Sequence, residues 1–85
     1  TKAYCEELGP YNIQVNGIAP GYYETDMTAI VRNTPKENRR VLAHIPAGRW
    51  GEAQDLMGAV VFLASRASDY VNGHILAVDG GYLVR

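Results

Sequence analysis

The chain has one cysteine, Cys5, so no intrachain disulfide can form and a disulfide-stapled secreted scaffold is excluded. Tyr4 and Leu8 share its helical face, so this thiol is expected to be packed rather than nucleophilic. Only two histidines are present, His44 and His74, and they lie far apart. Without a second cysteine they make no zinc site, which normally takes four ligands at tight spacings. Neither sign of charge is in excess: eight Lys plus Arg face nine Asp plus Glu, for a net charge of −1. That leaves no footprint for nucleic acid or for an anionic membrane surface. The longest apolar run, residues 59–64, is much too short to span a bilayer. No basic segment leading into an apolar stretch opens the chain, so no signal peptide is expected and the expected location is the cytoplasm. A phosphate-binding glycine loop is also missing. The first residue is Thr1 rather than Met, which suggests a fragment or a processed product.

What is present is ordinary for a globular chain, with 47% hydrophobic residues. Eighty-five residues allow one small domain at most, read as a single partial domain over residues 1–85. A chain of this size buries only roughly 60–65% of the surface its unfolded form exposes, so its stability is marginal unless something else covers its faces. Residues 1–8 carry good helix formers and stop at Gly9-Pro10, a strong breaker pair. Ile13, Val15 and Ile18 then form a short apolar run between turn residues, which predicts a buried strand over residues 13–18. Asn16 lies inside that run, and a buried amide must find partners, so it is expected to tie the strand to a neighbouring loop. The strand ends in Pro20-Gly21, with the Thr25 hydroxyl and free backbone amides just beyond. Ligands of open α/β sheets bind at the carboxyl ends of strands, where such a turn lies.

Past this turn, Thr25 and Asp26 are placed to cap a short helix through Asn33, with Met27, Ile30 and Val31 on one side. Thr34-Pro35-Lys36-Glu37 predicts a second helix start, with Thr34 as N-cap and Glu37 at the reciprocal capping-box position. Two short helices between a sheet and a longer helix suit a mobile lid or, equally, a plain surface connection. Residues 45–51 read as a loop. Residues 52–65 predict the main helix, with Glu52 and Asp55 in its first turn, where they complement the dipole. Leu56, Met57, Val60, Val61, Leu63 and Ala64 are more than a stripe, so that helix is expected to be covered on more than one side, by the sheet and by a partner subunit. Ile75, Leu76, Ala77 and Val78 form a second apolar strand closed by Asp79-Gly80-Gly81. Strand, helix and strand make one βαβ unit of a parallel sheet.

These residues resemble the short-chain dehydrogenase/reductase family over nearly the whole chain. Asn16, Pro20-Gly21 and Thr25 are similar to that family's Asn–Pro-Gly–Thr segment. The run from Pro46-Ala47-Gly48-Arg49-Trp50-Gly51 to Asp55 resembles its loop into the last long helix. Phe62-Leu63-Ala64-Ser65 and the stretch from Asn72-Gly73 to Val78-Asp79-Gly80-Gly81 resemble its C-terminal strand region. Asp55-Leu56-Met57-Gly58 and Ser68-Asp69-Tyr70-Val71-Asn72-Gly73 are closer to its sugar-acid branch, that of gluconate 5-dehydrogenase and 2-deoxy-D-gluconate 3-dehydrogenase. The fold implied is α/β, the C-terminal portion of a Rossmann-like doubly wound parallel sheet, with one βαβ unit plus lid helices. The function implied is the C-terminal segment of an NAD(P)-dependent oxidoreductase acting on a secondary alcohol or ketone of a sugar acid. In that enzyme Pro20-Gly21 shapes the turn under the nicotinamide, the Tyr23 backbone faces the carboxamide, and the Thr25 hydroxyl contacts carboxamide or pyrophosphate. Tyr22 and Met27 complete the implied cofactor-binding set. A fixed φ at proline and a permissive glycine agree with this, because they let backbone N–H groups approach a planar ligand. Tyr23 departs from the Val or Ile usual at its position.

The same resemblance places the catalytic serine and the Tyr-x-x-x-Lys pair before the first helix. Lys2 has no Tyr ahead of it at that spacing, and no Tyr here has a Lys four residues on. No catalytic residue is carried over, so the isolated chain is expected neither to turn over substrate nor to hold NAD or NADP. An alternative is a non-catalytic truncated module that persists through self-association, because an unpaired apolar sheet edge seeks another chain. The long helix, the final strand and that edge are the expected homo-oligomer contacts. Other constellations are weaker. Ser65 or Ser68 with His74 and Asp79 has no nucleophile elbow around either serine. Gly48-Arg49-Trp50-Gly51 precedes a helix N-terminus, but Glu52 and Asp55 already occupy that end, so Arg49 is expected to form a loop-fixing ion pair. Arg32, Arg39, Arg40 and His44 are either solvated or a carboxylate clamp on the lid.

Overall fold

The computed structural model describes residues 1–84. Helix α1 (Lys2–Leu8) leads to strand β1 (Gly17–Pro20), then to short helices α2 (Ala29–Arg32) and α3 (Pro35–Leu42). Helix α4 (Gln54–Ala64) and strand β2 (Ile75–Val78) complete the order. The strands are adjacent and parallel, with Gly17 opposite Ile75 and Pro20 opposite Val78. A parallel pair needs a long crossover. Here α2, α3 and α4 fill it, which gives the expected α/β arrangement of one parallel crossover with short helices ahead of the long one.

β1 begins later than the apolar run over residues 13–18 predicts, and Ile13 is exposed. The approach to β1 is held mainly by side chains. The Val15 N–H donates to Asn72 Oδ1 at 2.8 Å, and the Gly73 N–H donates to the Val15 carbonyl at 2.9 Å. Asn16 donates from Nδ2 to the Val71 carbonyl and accepts the His74 N–H on Oδ1, both at 3.0 Å. Both ends of its amide are used, so Asn16 does tie this segment to the loop before β2. The ladder itself starts one residue later, with the Gly17 N–H on the His74 carbonyl at 2.9 Å.

The crossover differs from expectation in two details. Thr34 sits at the N-cap of α3, but its hydroxyl donates back to the Ile30 carbonyl at 2.7 Å. Glu37 pairs with Arg40 at 3.0 Å, so no capping box forms. An i,i+3 ion pair and a carbonyl from the preceding helix compete for the same two side chains, and they win. Met27, Ile30 and Val31 do not share a side either. Val31 packs inward, whereas Met27 is 93% and Ile30 80% exposed.

The buried apolar core consists of Val41, Ile45 and Trp50, with Tyr22, Val31, Leu42 and Tyr82 packed against it. It joins α2 and α3 to the loop over residues 45–51 and to the turn after β1. The Tyr22 and Trp50 rings meet edge to face, 5.6 Å apart at 84°. The Trp50 Nε1–H donates to Asn38 Oδ1 at 2.6 Å, which satisfies the polar end of a buried indole. α4 packs on β2, yet Met57, Val60 and Val61 are each more than half exposed. The second cover expected for this helix is therefore not supplied by the described residues. The radius of gyration is 15.8 Å, where a compact chain of this length would show about 12 Å. The exposed area of 6333 Å² exceeds the roughly 5,000 Å² of a compact monomer of this mass. Much apolar surface is therefore left exposed.

Asn16→Ala removes both ties to residues 71–74 and is expected to destabilise the folded subunit carrying this chain by about 1–3 kcal/mol, two hydrogen bonds' worth. Urea denaturation checks this. A change within about 0.5 kcal/mol, typical of inert surface positions, would contradict the tie.

Candidate functional site

The two strands end side by side, and the turns that follow them touch. Gly21 lies so close to Asp79 that a Cβ on it would be 2.8 Å from the Asp79 Cβ and 3.1 Å from its Cα. Only glycine fits there without moving backbone. The Asp79 carboxylate locks its own turn, accepting the Gly81 N–H on Oδ1 at 2.9 Å and the Leu83 N–H on Oδ2 at 3.1 Å. The Gly80 carbonyl accepts the Ala47 N–H at 2.9 Å, which joins this turn to the loop before α4.

That loop also grips the turn after β1. The Gly51 N–H donates to the Tyr22 carbonyl and the Glu24 N–H donates to the Gly51 carbonyl, each at 2.8 Å. Tyr23 thus stands opposite Gly51 in a one-residue parallel bridge. In such a bridge the middle residue turns its own N–H and C=O away from its partner. The Tyr23 carbonyl accepts the Thr28 hydroxyl at 2.8 Å. Its N–H has no partner among the described residues. The Thr28 oxygen also accepts the Thr25 N–H at 3.0 Å, and Arg32 reaches back from α2 to the Thr25 carbonyl at 2.9 Å.

These contacts shape an open groove of about 360 Å³ lined by Pro20, Gly21, Tyr23, Glu24, Thr25, Thr28, Ala53 and Leu56. Of the residues expected in a cofactor site, Pro20, Gly21, Tyr23 and Thr25 come together here. Tyr22 does not line it. Its ring lies between Trp50 and Tyr82, 5.3 Å from the latter, and its carbonyl is held by Gly51. Met27 stands in solvent. Sequence reasoning missed Glu24, Thr28, Ala53 and Leu56. Thr28 had a signal, since it follows the capping Thr25 by three residues. Ala53 and Leu56 belong to the first turns of the long helix, which only the crossover brings beside the turn.

Arg49 forms the expected pair, with Nη1 and Nη2 on the two Asp55 oxygens at 2.8 and 3.0 Å. The Glu52 N–H adds 2.7 Å to Asp55 Oδ2. The Arg49 guanidinium first, and that N–H second, hold the Asp55 carboxyl down at about 2. Burial, with the carboxylates of Asp55 and Asp79 adding to it, pushes the Tyr23 phenol above its ordinary value, while Arg49 opposes. Of the arginines in α2 and α3, Arg40 is paired with Glu37 and Arg32 is spent on the turn, so neither is free for a carboxylate clamp. The serines are structural, with the buried Ser68 hydroxyl reaching the Leu63 carbonyl at 3.0 Å and the Ser65 hydroxyl the Phe62 carbonyl at 2.9 Å. Among the described residues no His, Cys, Asp and Glu are grouped to hold a metal ion, and no helix is long and apolar enough to cross a membrane.

The groove lies at the carboxyl end of a parallel strand, where open α/β sheets take their ligands. Residues 1–83 match the family described as Enoyl-(Acyl carrier protein) reductase. The chain is 75% identical over 85 residues to the uncharacterized oxidoreductase YgcW of Escherichia coli K12, covering 100% of this chain and 33% of that protein. It is 60% identical over 85 residues to the 2-dehydro-3-deoxy-D-gluconate 5-dehydrogenase of Bacillus subtilis 168, covering 100% of this chain and 34% of that one. The crystal structure of a gluconate 5-dehydrogenase from Burkholderia cenocepacia J2315 in complex with NADP and tartrate matches with a TM-score of 0.95 at 45% identity, over 100% of this chain and 33% of that one. The chain belongs to the short-chain dehydrogenase/reductase family. It spans about a third of the length of the curated relatives it matches.

The depressed Asp55 carboxyl gives a pH expectation. A carboxyl lowered on folding adds stability that is complete above its ordinary value of 3.8 and is lost as the pH falls towards about 2. Side-chain NMR titration is expected to place the Asp55 midpoint near 2, and Arg49→Ala to raise it towards its ordinary value of 3.8, with the Glu52 N–H still holding it below. A wild-type midpoint in the ordinary carboxylate range would contradict the pair.

Proposed function

We propose that this chain is the C-terminal segment of an NAD(P)-dependent oxidoreductase acting on a secondary alcohol or ketone of a sugar acid, supplying the nicotinamide-side turn, a substrate lid and an oligomer interface. The observation that carries the reading is the groove at the end of β1, lined by Tyr23, whose N–H has no partner among the described residues, and by the apolar Pro20, Ala53 and Leu56. That chemistry fits the nicotinamide end of the cofactor. The apolar wall takes a flat ring, and the free N–H and the Thr25 hydroxyl suit an amide. When bound, the nicotinamide supplies the hydride chemistry. The residues here bind and orient. Gly21 permits the close approach, the Gly51 bridge holds the turn, and Thr28 and Arg32 fasten α2 to it.

The sugar-acid substrate is supported by the relatives named above and by the NADP and tartrate of the Burkholderia enzyme. The lid assignment rests on the short turn and α2 that follow Thr25, where Thr28 lines the groove and Met27 and Ile30 are exposed. The homo-oligomer rests on the uncovered apolar face of α4 and on the free edge of β1. That same surface favours a second reading, a non-catalytic truncated module that persists by self-association. The intact mass of the gene product separates them, since a product about three times larger than this chain supports the enzyme segment.

The chemistry is tested by exchanging the matching third of the Bacillus subtilis enzyme for these 85 residues. The chimera is expected to turn over a sugar acid with NAD(H) or NADP(H), and the isolated chain is expected not to. A folded chimera without sugar-acid turnover, or dehydrogenase turnover by the isolated chain, would overturn the proposal.

A further inference from the structure

We infer that the Tyr23 side chain is a positioning residue that sets the angle of the Tyr23 N–H in the groove by strapping the turn after β1 to the last carbonyl of β2. The inference rests on the functional reading above. Its phenol donates to the Val78 carbonyl at 2.6 Å, across 55 residues of sequence. The hydrogen-bonded pairing of the strands ends at Pro20 and Val78, so this contact extends the joint three residues beyond the end of β1. The ring lies against Gly51, where an added Cβ would be 2.6, 2.7 and 2.8 Å from ring atoms Cε2, Cδ2 and Cζ. Gly51 also brackets Tyr23 through the Tyr22 carbonyl and the Glu24 N–H. Tyr23 is therefore held from two sides, by the Gly51 backbone and by β2, and its N–H is left one direction to point.

The device belongs to the tyrosine and not to the turn in general. Valine or isoleucine at this position has no hydroxyl to reach Val78 and no ring to fill the space over Gly51. The bond is present throughout the physiological range, since the phenol is pushed above its ordinary value and stays protonated. Removing the hydroxyl should leave the groove intact but loosen the amide's aim. Cofactor binding suffers first and the chemical step least.

The test uses the complete subunit that carries this chain, with NADPH as the probe. Tyr23→Phe is expected to raise the NADPH dissociation constant in a fluorescence titration, and the KM for NADPH, by about fivefold, the factor carried by one hydrogen bond. The kcat and the KM for the sugar acid are expected to stay within about twofold. Gly51→Ala should weaken NADPH binding when Tyr23 is present and do little in a Tyr23→Ile background, where the ring it collides with is gone. The control is Tyr70→Phe, a fully exposed tyrosine, which should change nothing. Unchanged NADPH affinity in Tyr23→Phe overturns the inference, as does a Gly51→Ala effect of equal size in both backgrounds. The Gly51 cycle decides alone should Tyr23→Phe not fold. A wild-type subunit that binds neither NADPH nor NADH overturns the functional reading and this inference with it. One that binds NADPH while Tyr23→Phe binds equally well overturns this inference alone.

Discussion

The close approach of Gly21 to Asp79 is the constraint on which the rest of the site depends. Parallel pairing brings the ends of β1 and β2 together, and with no Cβ at Gly21 the two following turns can touch. Asp79 then folds its own turn onto the amides of Gly81 and Leu83, and Gly80 captures the loop before α4. That loop delivers Gly51 to the opposite turn. A side chain at position 21 would push the turns apart and with them every element that shapes the groove. The site is thus a consequence of strand register transmitted through two glycines rather than of any one catalytic side chain.

The same economy explains the sparse core. Three buried apolar residues are few for the 84 described ones, and they serve a local purpose: Trp50 and Ile45 anchor the loop before α4, while Val41 anchors α3 to it. The aromatic contacts of Tyr22 carry this anchoring into the turn after β1. The exposed side of α4 and the open edge of β1 lie outside that cluster. Apolar burial is the main favourable term in folding, and here much apolar surface stays exposed.

Legibility in the sequence follows how local each rule is. Gly9-Pro10 ends α1 because breakers act on their own neighbours. Arg49 and Asp55 are six residues apart, and charge complementarity at a helix start suffices to pair them. Asn16 was readable because a polar amide in an apolar run must be satisfied whatever surrounds it. The start of β1 was not, since apolar periodicity reports burial while pairing depends on a strand almost sixty residues away. Trp50 and Ile45 carried no periodic signal, being core residues in a loop. The capping box failed because Thr34 found a better acceptor in the preceding helix. Within the groove, the residues of the Pro20-Gly21 turn were legible, and those contributed by α4 were not, for the same reason of sequence distance.

The central claim is that the turn after β1 forms the nicotinamide end of a cofactor site, with the Tyr23 N–H as its directed donor. Hydrogen exchange at that amide, in the complete subunit with and without saturating NADP(H), addresses it directly. The account predicts slowed exchange at Tyr23 and its neighbours through Thr28 when the cofactor binds, with α1 unaffected. Saturating binding that leaves exchange over residues 20–28 unchanged would contradict it.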